Sequence, residues 1–383
     1  MKKLLVIHNK YKILGGEDSN IHDEIDHLDK HYEVKYLEYD NSEKIKLLDL
    51  IGFLTRSNIN SNKKLIFELD TFKPDAVYIH NTWFKANLGI FKILKNRNIT
   101  TLYKIHNFRY DCGRFFLASK HLRGKRNCDA CYFQKKFQIF NKYYRNSYLK
   151  SFFLIFYSKK LFRIIKTYPI KILVLTNFHR RYLESMGVDL SKIYLYCNPI
   201  NLNNIRPQTS EKSNYAVYAG RLTNEKGIKS LLDAWLLANI TELKLKIIGS
   251  GNLDSKLKKK YKKHNIEFVG NLSNHDTLLE IKNSLAVITA TKMYEGQPRL
   301  LCEASSYGVP SIYPSFGGMD EFFPLNYSLS FKQFDYEDLK SKIDELENLN
   351  KLNKLGESVY DNIASKLNPK KLLEQFQNII DDE

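Results

Sequence analysis

The chain contains no long apolar run. No stretch reaches the roughly 18 consecutive apolar residues that a membrane-spanning helix requires. The N-terminal apolar run, Leu4–Ile7, is too short for a signal-peptide core, and no small-residue cleavage site follows it, so it reads as a first strand. Cysteine is scarce and odd in number, five in 383 residues. That excludes a small disulfide-stapled scaffold and favours a reducing, cytoplasmic setting. Acidic residues are in deficit, 42 Asp and Glu against 60 Lys and Arg, for a formal charge of +18. Such a balance favours anionic partners, whether nucleic acid, an acidic membrane face or phosphorylated substrates. Part of it is compositional, because the whole chain is rich in Lys, Asn, Ile and Tyr. No short-period repeat occurs. No nucleic-acid-binding motif is present, and the basic residues do not form one block, so nucleic acid is not an expected partner.

What is present is α/β order, twice. A chain of this length predicts two or three domains, each able to bury a core. Strands are predicted at Leu4–His8, Glu33–Tyr39, Ala76–His80, Thr100–His106, Ile170–Thr176 and Ile193–Tyr196. Helices are predicted between them at Ser19–Lys30, Lys63–Phe72, Leu88–Asn96 and Asn177–Met186, so the sheet should be parallel. Residues 198–214 are polar and aperiodic, with Pro199 and Pro207, and form the best linker candidate. The pattern then restarts, with strands at Tyr215–Ala219, Leu243–Ile248, Ile266–Val269, Leu285–Ile288 and Ser311–Pro314. Its helices fall at Gly227–Asn239, Leu253–Lys263 and Asp276–Asn283, and the tail predicts two more at Tyr336–Leu349 and Pro369–Ile380.

The most informative stretch is 289–310. After a buried strand it presents Glu295 and Gly296, then Pro298 at an expected first helical position, with Gly308 and Pro310 ending the helix. Glu303 follows Glu295 by eight residues. Two helical turns rise about 11 Å, so both carboxylates are expected to address one ligand from different depths. The first-turn N–H groups around Gly296 and Gln297 suit a phosphate. A lone Glu-x7-Glu also arises in any amphipathic helix, where one acid caps and the other is solvated. Upstream, Tyr218–Gly227 places Arg221 and Lys226 on a loop between a strand end and a helix start. Two cations at a helix N-terminus make a diphosphate site without a metal. Gly249 and Gly251 form another strand-end glycine loop, without the third glycine of a dinucleotide fingerprint. Gly15 and Gly16 lie between the first strand and first helix, where the backbone can approach an anion closely. His106 ends a predicted parallel strand, the edge at which such sheets bind ligands.

The Gly-Arg-Leu and Glu-Lys-Gly of 220–227, with Glu295-x7-Glu303, resemble the retaining glycosyltransferases of glycosyltransferase family 4. The resemblance implies the GT-B fold, two Rossmann-like domains facing across a cleft. It divides the chain into an acceptor domain, 1–203, with a terminal helix at 367–383 packing back on it, and a donor domain, 204–366. It assigns Arg221 and Lys226 to the donor's phosphates, Glu295 to the transferred sugar and Glu303 to the donor ribose. Gly15, Gly16, Gly249, Gly251, Gly296 and Gln297 then line the donor site, the segment 266–271 reads the base, and Gly317–Gly318 lies near the donor. His106 sits near the sugar and leaving phosphate. The implied activity is hexosyl transfer from a UDP-, GDP- or dTDP-sugar to a lipid-linked or cell-surface glycan precursor, with retention. No Asp-x-Asp occurs anywhere, so no metal or other cofactor is expected. A nucleotide-sugar 2-epimerase of the same architecture, or a non-catalytic nucleotide-sugar-binding protein, would share these motifs.

Two further segments have double readings. Cys112, Cys128 and Cys131, with His121 between them, form half of a zinc motif or a set of idle thiols. Residues 135–166 interleave Lys and Arg with Phe, Tyr, Ile and Leu. They suit either an anionic membrane surface, making the enzyme peripheral on the inner face of the cell membrane, or ordinary packing with a solvated basic side.

Overall fold

The computed structural model describes residues 1–10, 16–41, 49, 52–53, 55, 57–111, 147–200, 202, 213–238, 240–261 and 264–382. The chain divides into two compact units, Met1–Pro199 with Pro369–Glu383, and Ile200–Asn368.

The first unit is built on strands β1 (Lys3–Lys10), β2 (Glu33–Asp40), β3 (Ala76–Ile79), β4 (Thr100–Ile105), β5 (Lys171–Val174) and β6 (Ile193–Leu195). They lie in the order β2-β1-β3-β4-β5-β6, and every pairing is parallel. Leu4–Ile7 and all of β3 are buried, which is what continuous apolar strands covered by helices on both faces require. The covering helices are α1 (Gly16–Leu28), α2 (Ile59–Phe72), α3 (Gly89–Asn96), α4 (Tyr148–Thr167) and α5 (Asn177–Ser185). Local chemistry starts several of them. Asn58 accepts from the N–H groups of Asn60 and Ser61, Ser147 from that of Lys150, and Thr176 from that of His179. The order reverses at β1, which has β2 on one side and β3 on the other, so the carboxyl ends of β1 and β3 flank a topological switch point.

The second unit repeats the plan with β7 (Tyr215–Ala219), β8 (Lys244–Ile248), β9 (Ile266–Gly270), β10 (Ala286–Ile288), β11 (Ser311–Ser315) and β12 (Ser330–Lys332). Their order is β12-β11-β10-β7-β8-β9, again all parallel. Counted from β7 this is the doubly wound 3-2-1-4-5-6 order, with its switch point between β7 and β10. The helices are α6 (Ile228–Ala238), α7 (Asp254–Tyr261), α8 (Asn274–Asn283), α9 (Arg299–Ser306), α10 (Tyr336–Asp344) and α11 (Leu349–Lys366).

The last helix, α12 (Pro369–Asp381), belongs to the first unit. Phe376 is fully buried there against the rings of Tyr32, Tyr78 and Tyr196. The Lys171 ammonium donates to the carbonyls of Ile379 and Ile380, satisfying acceptors that a helix end leaves open. Among the described residues no helix is long and apolar enough to cross a membrane.

Candidate functional site

In the second unit the two loops flanking the switch point are tied together. β7 ends at Ala219, and the loop after it carries Arg221 and Lys226. The Tyr218 hydroxyl donates to the Arg221 carbonyl at 2.9 Å and fixes the turn. β10 ends at Ile288, and the loop after it carries Thr291 and Glu295. The Lys292 N–H donates to the Glu225 carbonyl at 2.9 Å, and the Lys226 ammonium meets Glu295 Oε1 at 2.6 Å. Thr291 Oγ1 stands 3.4 Å from the same oxygen. Both partners of the ion pair keep about a quarter of their side-chain surface exposed, so a ligand can reach them.

Two glycines make this closeness possible. Gly227 has φ +69, and a β-carbon there would lie 1.7 Å from the Ala290 carbonyl oxygen on the β10 loop. Gly249 has φ +125, and its β-carbon would lie 2.1 Å from the Gly220 carbonyl oxygen. Only glycine permits either approach, and it takes up these positive φ angles without the strain a side chain would add. Gly251 lies in the same packed turn, where the Leu222 N–H donates to Ser250 and the Leu253 N–H to Leu222.

Glu303 is reached differently from the sequence expectation. Helix α9 begins at Arg299, with Pro298 as its cap at φ −78 and ψ 83 rather than in the first turn. The Pro298 carbonyl accepts from the N–H groups of Leu301 and Cys302. Glu295 is therefore on a non-helical loop, and the two-turn helical rise does not separate the two acids. Glu303 is 8% exposed and accepts from Arg299 Nε at 2.7 Å. Gly296 and Gln297 are buried in the intervening loop.

In the first unit, His106 stands at the end of β4 beside a group that sequence reasoning missed. Ile-His-Asn occurs three times, at 7–9, 79–81 and 105–107, and each copy ends a strand: β1, β3 and β4, which are neighbours in the sheet. That triple repeat was readable as a signal. His80 Nδ1 lies 3.1 Å from His106 Nε2, with the rings stacked at 5.4 Å. Asn9 and Asn81 exchange side-chain bonds to each other's carbonyls, at 2.8 and 3.2 Å. Beneath them Lys104, fully buried on β4, donates to both oxygens of the buried Glu24 carboxylate at 2.9 and 3.0 Å. The Tyr78 hydroxyl donates to Glu24 at 2.6 Å, and the Lys104 ammonium lies 4.4 Å from the Tyr196 ring centre. A lysine in the middle of a buried strand was the available signal for this pair.

Burial, followed by the charges of His106, Lys104 and His8, holds the His80 pKa well below its usual value. Burial, Lys104, His8 and His179 do the same for His106. Both rings are neutral at pH 7, one donating to the other. His179 on α5 bonds the Tyr110 hydroxyl at 2.9 Å, and burial pushes its pKa down to about 3.

Between pH 6.5 and about 3 the unfolded chain protonates this imidazole and the folded chain does not. Stability is thus fully present above pH 6.5 and falls as pH falls. From pH 7 to pH 5 His179 alone should remove about 2 kcal/mol, with His80 and His106 acting in the same direction. Urea melts at pH 7, 6 and 5 measure this, and His179→Gln should flatten the slope. An unchanged slope in that variant would show that His179 does not titrate on unfolding.

Several expected residues fall elsewhere. Gly15, Cys112, His121, Cys128 and Cys131 lie outside the described residues. Gly16 is the first residue of α1. Of the basic-aromatic stretch, only 147 onward is described. There α4 presents one exposed stripe, aromatic at Tyr148, Phe152 and Phe156, then basic at Lys159, Arg163 and Lys166.

Residues 202–361 match the family described as glycosyl transferases group 1. The amylovoran biosynthesis glycosyltransferase AmsD of Erwinia amylovora is 34% identical over 149 residues, which are 37% of this chain and 42% of that protein. The match thus spans less than half of that relative. Among solved structures, Anabaena HepE in complex with UDP and glucose superposes with a TM-score of 0.70 at 12% identity, covering 100% of both chains. Sucrose-phosphate synthase from Thermosynechococcus elongatus gives 0.73 at 14% identity, over 99% of this chain and 98% of that one. These likenesses show the fold, two Rossmann-like α/β domains of the GT-B type.

Proposed function

We propose that the chain is a glycosyltransferase of the family 4 kind. It moves a hexose from a nucleoside diphosphate sugar to a lipid-linked or cell-surface glycan precursor, with retention and without a bound metal. The observation that carries this reading is the 2.6 Å Lys226–Glu295 pair at the switch point of the second unit, inside the segment that matches the group 1 transferases. Lys226 and Arg221 face the diphosphate. As the bond from the anomeric carbon to the phosphate oxygen breaks, negative charge gathers on the departing phosphate, and the two cations stabilise that charge more in the transition state than in the ground state. Glu295 accepts from hydroxyls of the transferred sugar, and Glu303 from those of the ribose. In the first unit, neutral His106 offers an uncharged hydrogen-bonding group at the carboxyl end of β4. HepE, which holds UDP and glucose, makes UDP-sugars the first donors to test.

Thermal melting with UDP-, GDP- and dTDP-sugars, each with and without EDTA, tests the donor site. One nucleotide class should raise Tm by mass action, equally in chelator. No shift with any donor would remove the reading, and a shift lost in EDTA and restored by Mg²⁺ would remove its metal independence. A lipid-borne acceptor suits the aromatic and basic stripe of α4, whose cations would favour an anionic leaflet. Co-sedimentation with anionic but not neutral liposomes, abolished by high salt, is the expected result for that part. Binding to neither would leave a soluble acceptor.

A further inference from the structure

We infer that Phe334, with Phe316 and Tyr294, forms an aromatic subsite on the second unit that receives the C–H face of a sugar ring. The inference rests on the glycosyl-transfer reading for the ligand's identity and on the second unit's geometry for the place.

Phe334 has φ +71. It is the third residue of a turn, Lys332–Asp335, closed by the Asp335 N–H donating to the Lys332 carbonyl at 2.9 Å. Glycine fits that position without the clash a β-carbon brings, and asparagine tolerates it better than other side chains. The other non-glycine residues with positive φ, among those described, are Asn87, Asn98, Asn326 and Lys73, the last at a helix C-terminus. A phenylalanine there is a costly choice. Its own packing does not offset the cost, because the residue is 40% exposed.

The ring is held in company that adjoins the Glu295 loop. Its centre lies 6.1 Å from that of Phe316, and Phe316 stacks on Tyr294 at 4.2 Å with 15° between planes. Tyr294 directly precedes Glu295. Gly317 leaves room for the stack, since a β-carbon there would lie 3.0 Å from Tyr294 Cδ1. The Gln333 amide donates to the Thr291 carbonyl at 3.0 Å, tying the Phe334 turn to the Glu295 loop.

Position in the sheet selects the ligand. The three rings follow β10, β11 and β12, on one side of β7, while Gly249 and Gly270 follow β8 and end β9 on the other side. A nucleotide lying along the β8–β9 side with its diphosphate at Lys226 extends its sugar toward β10–β12. The slightly positive C–H groups of a pyranose pack against the negative faces of aromatic rings. Its hydroxyl edge is then left for Glu295.

The test uses the whole chain with Phe334→Gly, Phe334→Asn and Phe316→Leu. Glycine and asparagine both accept the backbone conformation at 334, so Tm should stay within about 2 °C of wild type in those two variants, against the roughly 2–4 °C that a 1 kcal/mol loss brings. The nucleotide sugar giving the largest thermal shift should bind about tenfold more weakly to the variants, while its nucleoside diphosphate alone binds as in wild type. An unchanged donor Kd with a tenfold rise in acceptor KM places the acceptor's ring on the subsite instead. Donor Kd and acceptor KM both within twofold of wild type overturn the proposal. Should no nucleotide sugar bind, the donor reading fails separately, and saturation-transfer NMR with methyl glucopyranosides decides the subsite. Wild-type saturation of the C–H protons, lost in Phe334→Gly, supports it, and equal or absent saturation in both proteins overturns it.

Discussion

Arg221→Ala and Lys226→Ala should each lower sugar transfer by about 10²–10³-fold, the range found when one preorganised donor to a developing negative charge is removed. The fold should survive, because Arg221 is exposed and the Lys226 side chain is about a quarter exposed, and a part-exposed ion pair contributes little to stability. The two losses should differ in kind. Arg221 holds its backbone through the Tyr218 hydroxyl, so truncation removes charge and leaves the loop in place. Removing Lys226 also releases Glu295, so its loss should include weaker recognition of the sugar as well as of the phosphate. A Lys226→Ala, Glu295→Gln double-mutant cycle on kcat/KM should therefore be non-additive. The measurement is steady-state transfer with the identified donor. Near-normal turnover in both single variants would remove the phosphate assignment.

Glu24→Ala should destabilise the first unit by about 3–5 kcal/mol, the usual consequence of leaving a buried charge without its partner. The Lys104 ammonium is wholly enclosed, and burial already lowers its pKa against the opposing pull of Glu24. Without that carboxylate it must lose its proton or draw in water. The double variant Glu24→Leu, Lys104→Met replaces the pair with apolar groups of similar length and should recover most of the loss. Urea denaturation of the three proteins is decisive. A single variant costing under about 1 kcal/mol, or a double variant less stable than either single, would show that the pair is not the buried unit described here.

Much of the fold was legible because its causes are local. Apolar runs, caps and turn glycines placed α5 at Asn177, α12 at Pro369, and β7 at Tyr215–Ala219. Helix α11 was not legible, since Leu349–Lys366 is broken by asparagines and Gly356. The reason for that glycine is tertiary: a β-carbon at 356 would lie 2.3 Å from the Gly308 carbonyl oxygen. Strand β12 was missed because three residues carry no pattern of their own. It exists through its pairing with β11.

For the candidate site, sequence alone determined which residue types stand at which strand ends, Arg221 and Lys226 after one, Glu295 after another, and His106 after a third. It determined this because strand ends, glycine turns and helix starts are written in a few consecutive residues. Tertiary structure decided which of them meet. Lys226 and Glu295 are 69 residues apart and come within 2.6 Å only because β10 lies beside β7. Lys104 and Glu24 are 80 apart and share a fully buried pair for the same kind of reason. His80 lies against His106 because β3 pairs with β4. Phe334 gathers with Tyr294 through the order of β10, β11 and β12. Strand order is set by crossovers that bury helices on both faces of a sheet, a property of the whole domain's packing that no short stretch of residues encodes.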